Sequence, residues 1–270
     1  MLPISAIAEV WSSSPFVEAA ALLLGLLIGS FANVCIHRIP LGQSVVHPPS
    51  RCPSCAALIG PLDNVPVLSF VLLRGRCRAC RAPISPRYPL VEATNGLLWM
   101  GLVAWRGLSA QTLVSLVLIT TLLVLSLIDF DHHLLPDVIT LPGIGVGLAA
   151  SFLPGSPLTP FQSAAAAMGG YLAFLVIAKS YEKARGIEGL GQGDWKMAAL
   201  LGAFLGWQEA LLTFFVASLA GTLIGLGLML FRGRDARYAL PLGTFLGIAG
   251  ILVVFTGAPV VAWYGSLFRG

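Results

Sequence analysis

Charge is what this chain has least of. Only 10% of its 270 residues are Asp, Glu, Lys or Arg, against 57% hydrophobic, and its mean hydropathy is +0.87. Soluble domains carry about 25% charged residues, so too little charge is present to cover a water-facing surface. Most of the chain must face lipid. Basic charge is also missing from the start: residues 1–15 hold Glu9 and no Lys or Arg, which removes the positive opening of a secretory signal. The run from Phe16 to Ile36 is too long for a signal core and lacks a clear cleavage site, so it reads as a first permanent span. A phosphate loop is absent, because Lys196 is neither preceded by Gly nor followed by Ser or Thr. No strand precedes that glycine run to make a dinucleotide fingerprint, and no serine sits in a nucleophile elbow. No nucleic-acid partner is expected.

What is present is a series of apolar runs. A helix needs about 20 predominantly apolar residues to cross a bilayer. Candidate spans lie near 16–36, 88–105, 110–128, 138–153, 161–178, 195–207, 210–231 and 240–264. The sixth is short, with Asp194 and Lys196 at its start, so it is tilted deep in the bundle or begins partway into the membrane. Eight alternating spans put fourteen of the sixteen Lys and Arg residues on one side and leave only Arg106 and Arg269 on the other. Positive charge collects on the cytoplasmic face, so both termini are expected outside the cytoplasm. The expectation is an all-α polytopic membrane protein of about eight transmembrane helices, with a small cytoplasmic domain between helices 1 and 2. Its segments are 1–36 (N-terminus and first helix), 37–87 (cytoplasmic) and 88–270 (transmembrane core). Gly202 with Gly206, Gly221 with Gly225, and Gly243 with Gly247 are spaced four apart, as suits close helix packing in lipid.

Residues 37–87 are rich in Pro and Arg and contain Cys52-Pro-Ser-Cys55 and Cys77-Arg-Ala-Cys80. Two such knuckles can surround a structural zinc ion with four thiolates. So short a segment has little core of its own, and metal binding would supply much of its folding free energy. Disulfides are uncommon in the reducing cytoplasm, and two matched knuckles favour a metal cage over redox chemistry. Cys35 has no partner in the first span, and His37 and His47 are expected to be solvated, since four thiolates complete a site.

Charge within apolar segments is costly and marks candidate function. Asp129 directly follows the third apolar run, whereas Asp131 and Asp137 lie in the short loop beyond, where solvation or helix capping accounts for them. Asp194 follows the glycine-rich turn Gly189-Leu-Gly-Gln-Gly193. Gly191 and Gly193 let the backbone bend and let an extended peptide lie close against it. Both aspartates fall at cytoplasmic membrane edges. Two carboxyl groups held close in a poorly polarisable site share a proton. One then takes a proton from water while the other polarises a peptide carbonyl. Glu92, at the start of the second span, is a candidate partner for a basic peptide, although a carboxylate is also favoured there by the helix dipole. A membrane transporter using the same aspartates as proton or cation sites is the competing reading; it would place them near the midplane.

The chain resembles the bacterial type IV prepilin peptidases (prepilin leader peptidase/N-methyltransferases), proteases of the Gly-x-Gly-Asp kind. The resemblance runs over nearly the whole chain. It is carried by Gly29-Ser-Phe-Ala-Asn-Val-Cys-Ile-His-Arg-Ile-Pro40, the four spaced cysteines, Asp63-Asn-Val-Pro-Val-Leu-Ser69 and Arg74-Gly-Arg-Cys77. Pro83-Ile-Ser-Pro-Arg-Tyr-Pro-Leu-Val-Glu92, Ile128-Asp129, Leu135-Pro136-Asp137 and Gly191-Gln-Gly-Asp194 complete it. It implies cleavage of the basic leader of type IV prepilins and type II secretion pseudopilins at the cytoplasmic face of the bacterial inner membrane. N-methylation of the new terminus with S-adenosylmethionine follows. It places the catalytic pair on Asp129 and Asp194 and associates methylation with the first cytoplasmic segment; no residue can be assigned to the methyl donor. One departure is visible. The last span usually opens Pro-Phe-Gly-Pro-Phe and here reads Pro241-Leu-Gly-Thr-Phe245, a change expected to bear on substrate fit.

Overall fold

The structure, a computed structural model, describes residues 14–186, 189–232 and 240–268. Glu9 and Arg269, and Arg234 and Arg237 among the fourteen basic residues assigned to one side, lie outside the described residues. The order of elements is α1 (Pro15–Arg38), a 3-10 turn (Pro61–Asn64), α2 (Leu68–Leu72), α3 (Arg87–Arg106), α4 (Ala110–His132), α5 (Asp137–Ala150), α6 (Pro160–Arg185), α7 (Gln192–Arg232) and α8 (Leu242–Ser266). No strand occurs among the described residues, only two isolated bridges. Five helices, α1, α4, α6, α7 and α8, are long and apolar enough to cross a membrane, and α5 is a shorter apolar helix. This is a multi-pass membrane protein. The sixth and seventh apolar runs of the sequence do not form two separate elements: residues 195–207 and 210–231 run on within α7, whose backbone leaves the helical region only at Gly206 (φ 73°, ψ 177°). That positive φ suits glycine, and a Cβ there would meet Leu158 Cδ2 at 2.6 Å.

Helix boundaries follow local chemistry. Ser14 caps α1 by accepting from the Val17 N–H, with Pro15 in the first turn. Thr159 and Gln162 form a reciprocal capping box at the start of α6. Gly186 closes α6 in the left-handed conformation.

The chain divides into two compact units, Met1–Leu116 and Val117–Gly270. In the first, α1 packs on α3. Water does not drive helices together in lipid, so small residues and polar bonds do. A Cβ at Gly25 would lie 2.9 Å from Gly96 Cα, and one at Gly29 would lie 2.9 Å from Glu92 Cα. Asn95 Nδ2 donates to Gly25 O at 2.7 Å and Asn33 Nδ2 to Tyr88 O at 3.0 Å. In the second unit α7 packs on α6, α8 and α5. Gly202 lies against the Ala166 backbone, and Ser163 Oγ donates to Ala203 O at 2.7 Å. Gly247 faces Ser126 on α4, and Gly250 faces Leu122 on α4 and Leu201 on α7. Leu118, Ile119, Leu122, Leu125, Ile128, Leu200, Leu201 and Leu246 are buried in this core.

Candidate functional site

Two groups of chemically able side chains emerge, one in each unit. In the first, Cys52, Cys55, Cys77 and Cys80 bring their sulfurs within 4.8 Å of one another. The two knuckles are copies of the same turn. Cys52 N–H donates to Ala57 O and Ala56 N–H to Cys52 O, while Cys77 N–H donates to Ala82 O and Arg81 N–H to Cys77 O. Ala56 and Arg81, each just after the second cysteine of its pair, both take a positive φ. Each turn thereby points two sulfurs inward. Four sulfurs about 2.3 Å from a zinc ion stand about 3.8 Å apart along the tetrahedron's edge. Cys52 Sγ and Cys80 Sγ are 3.8 Å apart. The donor set fits a tetrahedral metal ion, and the cysteines form no disulfide. Backbone hydrogen bonds from Cys55 and Ser54 hold the Cys52 thiol down at about 6. An Ala57 backbone bond works to lower Cys55, yet its Cys80 neighbour and burial leave it raised to about 11. Four thiolates so close repel one another, and a divalent cation among them removes that penalty. Arg78, inside the second knuckle, grips Asp63 through Nε and Nη2 at 2.6–2.9 Å, tying the knuckle to the 3-10 turn.

Glu92, expected as a contact for a basic peptide, is buried at 9% exposure. Its Oε2 accepts the Val67 N–H at 2.7 Å. Val67 has φ 59°, unfavourable for a β-branched residue, so the bond holds a strained turn just before α2.

The second group lies wholly within the second unit. Asp129 is in the last turn of α4 and is 5% exposed. Thr244, in the first turn of α8, donates its N–H to Asp129 Oδ2 at 2.7 Å, and its Oγ1 lies 3.1 Å from the same oxygen. Asp194 is in the first turn of α7. Its Oδ2 accepts the Gly191 N–H at 3.0 Å, and its own N–H donates to Gly191 O at 3.1 Å. The two carboxyl groups lie within electrostatic range of one another. Leu135 is the wedge between their supports. A Cβ on Gly193 would come 2.7 Å from Leu135 Cβ, and one on Gly243 would come 2.9 Å from both Leu135 Cδ1 and Asp129 Cγ. Gly191 meets only Asp194 Oδ2, at 3.6 Å. Asp137 opens α5 and pairs with Lys196 Nζ at 2.6 Å, linking the starts of α5 and α7. Thr244, Leu135 and the Asp137–Lys196 pair are the neighbours that sequence reasoning did not single out as parts of the site. None of them announces itself by charge in an apolar run except the ion pair, whose partners are far apart along the chain.

Residues 23–106 match the model described as the bacterial peptidase A24 N-terminal domain, and residues 116–226 match that of the type IV leader peptidase family. A protein of Pseudomonas putida named prepilin leader peptidase/N-methyltransferase is 41% identical over 265 residues, covering 90% of this chain and 91% of that protein. The chain belongs to the type IV leader peptidase family. Proteins of the same name from Aeromonas hydrophila and Pseudomonas aeruginosa are each 38% identical, covering 91% and 90% of this chain and 93% and 91% of their own lengths. No solved structure matches this chain. The two family segments correspond to the two groups of side chains: the cysteines fall within 23–106, and both aspartates within 116–226. The transporter reading finds no support among these relatives.

Proposed function

We propose that this chain is a prepilin leader peptidase and N-methyltransferase in which Asp129 and Asp194 are the catalytic pair. The observation that carries the reading is that these two carboxyl groups, distant in sequence, come within electrostatic range inside the segment matching the leader peptidase family. One ionised carboxylate takes a proton from a water molecule as the water attacks the scissile carbonyl. The other, protonated, donates a hydrogen bond to the carbonyl oxygen and later supplies the proton for the leaving amine. Thr244 and Gly191 keep each carboxyl in place by donors that cost no reorganisation during the reaction. The substrates are the basic N-terminal leaders of type IV prepilins and type II secretion pseudopilins, cut at the cytoplasmic face of the inner membrane. Gly191 and Gly193 border the path proposed for the peptide.

The new terminus is then N-methylated with S-adenosylmethionine as methyl donor. The segment 37–87, held by a zinc ion on Cys52, Cys55, Cys77 and Cys80, supports that second step. Eight membrane crossings, with both termini outside the cytoplasm, follow if α3 and α5 cross and α7 crosses twice about Gly206. The test is cleavage of a prepilin by Asp129→Ala and Asp194→Ala in membranes. Processing is expected to fall to background in both, and full processing by either refutes the pair. Mass spectrometry of the product checks methylation: an unmodified amine with S-adenosylmethionine present leaves a peptidase only.

A further inference from the structure

We propose that Thr244 is a positioning residue for Asp129, a hydroxyl whose single proton turns between two acceptors and so holds the carboxyl both ionised and protonated. This deepens the peptidase reading and rests on it.

Thr244 is 8% exposed and belongs to the first turn of α8, where backbone N–H groups have no acceptor within their own helix. Its N–H is satisfied by Asp129 Oδ2 at 2.7 Å. Its Oγ1 stands between two oxygens of α4, Asp129 Oδ2 at 3.1 Å and the Ser126 carbonyl at 3.0 Å. A threonine hydroxyl has one proton to give and two lone pairs to offer, whereas a backbone carbonyl only accepts. The hydroxyl therefore serves one neighbour as donor at a time. With Asp129 ionised, the proton points to Oδ2, adding a second donor to the N–H. With Oδ2 protonated, the carboxyl donates to Oγ1 and the hydroxyl proton turns to Ser126 O. In both arrangements every one of these buried groups keeps a partner, and an unpartnered buried group is costly. No heavy atom has to move between them.

Hydrolysis by a carboxyl pair requires each member to gain or lose a proton within one turnover. A carboxyl clamped only by fixed donors is held well in one state alone. Among the described residues, the other ionisable groups facing Asp129 are Asp194 at the start of α7 and His133 just past the end of α4. The nearby Asp137 and Lys196 are engaged with each other. Thr244 is thus the neutral group in direct contact that adapts without changing the charge of the site.

The experiment compares kcat and KM for prepilin cleavage by the full-length protein and by Thr244→Val, Thr244→Ala and Thr244→Ser, with Asp129→Ala as the inactive reference. Thr against Val, and Ser against Ala, isolate the hydroxyl at nearly constant shape. The valine and alanine variants are expected to lose about tenfold to a hundredfold in kcat, with KM within about twofold of the parent. The serine variant is expected to restore most of kcat, and thermal unfolding of the alanine and serine variants checks that folding does not explain the gap. If the valine variant turns over at the parent rate while Asp129→Ala is dead, the hydroxyl has no such role and the aspartate pair stands. Equal losses in the serine and alanine variants, or a loss confined to KM, also overturn it. Full cleavage by Asp129→Ala removes the reading beneath it.

Discussion

Gly193→Ala offers the sharpest contrast between packing and chemistry. The added methyl would sit 2.7 Å from Leu135 Cβ and 3.4 Å from Leu135 Cγ and Cδ1. Carbon atoms rest at about 3.5–4.0 Å, so the shortest contact is too close by roughly an ångström. A Cβ cannot rotate out of the way as a flexible tip can. Backbone must move, either the first turn of α7 that carries Asp194 or the loop after α4 that carries Leu135. Overpacking of this kind costs about 1–3 kcal/mol, a tolerable loss of stability. A misplacement of about 1 Å at a reacting group costs about a hundredfold in rate. The variant should therefore remain folded, with its unfolding midpoint lowered by a few degrees, while prepilin cleavage followed by mass spectrometry slows by about two orders of magnitude. Gly191→Ala is the control, because a methyl there meets only Asp194 Oδ2 at 3.6 Å, an ordinary contact. It should keep activity within a few-fold. Parent activity in Gly193→Ala refutes the packing argument. Equal collapse in both variants transfers the role of the glycines to contact between bare backbone and the substrate.

Three further outcomes can be checked. Cys52→Ser combined with Cys77→Ser should abolish bound zinc in the purified protein, as read by elemental analysis, and metal content unchanged by that pair ends the assignment. Glu92→Ala leaves the Val67 N–H without its charged acceptor at a strained turn, a loss of about 1.5–3 kcal/mol; limited trypsin digestion should cut sooner at Arg74 and Arg76, with Glu92→Gln largely protecting. The Arg78 guanidinium beside Asp63 holds that carboxyl below its ordinary value of 3.8, so the pair's contribution is complete above that value and is lost as pH falls through the lower folded one. Asp63→Asn should consequently loosen the knuckle at neutral pH, seen as faster zinc release to a chelator, and any pH dependence of the pair itself should appear only below about pH 4.

The helices were legible because lipid imposes a strong rule: a long apolar run with few charges has few other uses. Each proposed span falls mainly on helix in the structure, and five of the helices are long and apolar enough to cross a membrane. The limits of that rule show at α3 and α7. α3 is 20 residues long but carries Glu92 and Asn95 against α1, and although its run was read as a span it is not among the five helices apolar enough to cross. In α7 the break at Gly206 was readable as a gap between two runs, while its φ of 73° and the Leu158 side chain that fills the space a Cβ would need emerge only in the fold. The cysteine cluster was legible for a different reason. Metal ligation needs particular atoms at short spacing, and two matched Cys-x-x-Cys knuckles carry both within a few residues each.

The carboxyl groups stood out because charge is rare in such a chain, yet what holds them was hidden, since neutral residues gain these roles only through tertiary proximity. Leu135 looks like any apolar loop residue until Gly193 and Gly243 are found closed around it. Thr244 is the clearest instance. Read along the sequence, it replaces a proline of the family pattern and was expected to bear on substrate fit. In the folded chain its N–H and hydroxyl both meet Asp129, and a proline has neither donor to offer. Thr244→Pro would thus separate the two parts of the contact. Proline is sterically tolerated in the first turn of a helix, so the variant should fold, and its cleavage rate should fall below that of Thr244→Val, which keeps the N–H. A proline variant faster than the valine variant would mean that Asp129 needs freedom from α8 more than it needs its donors.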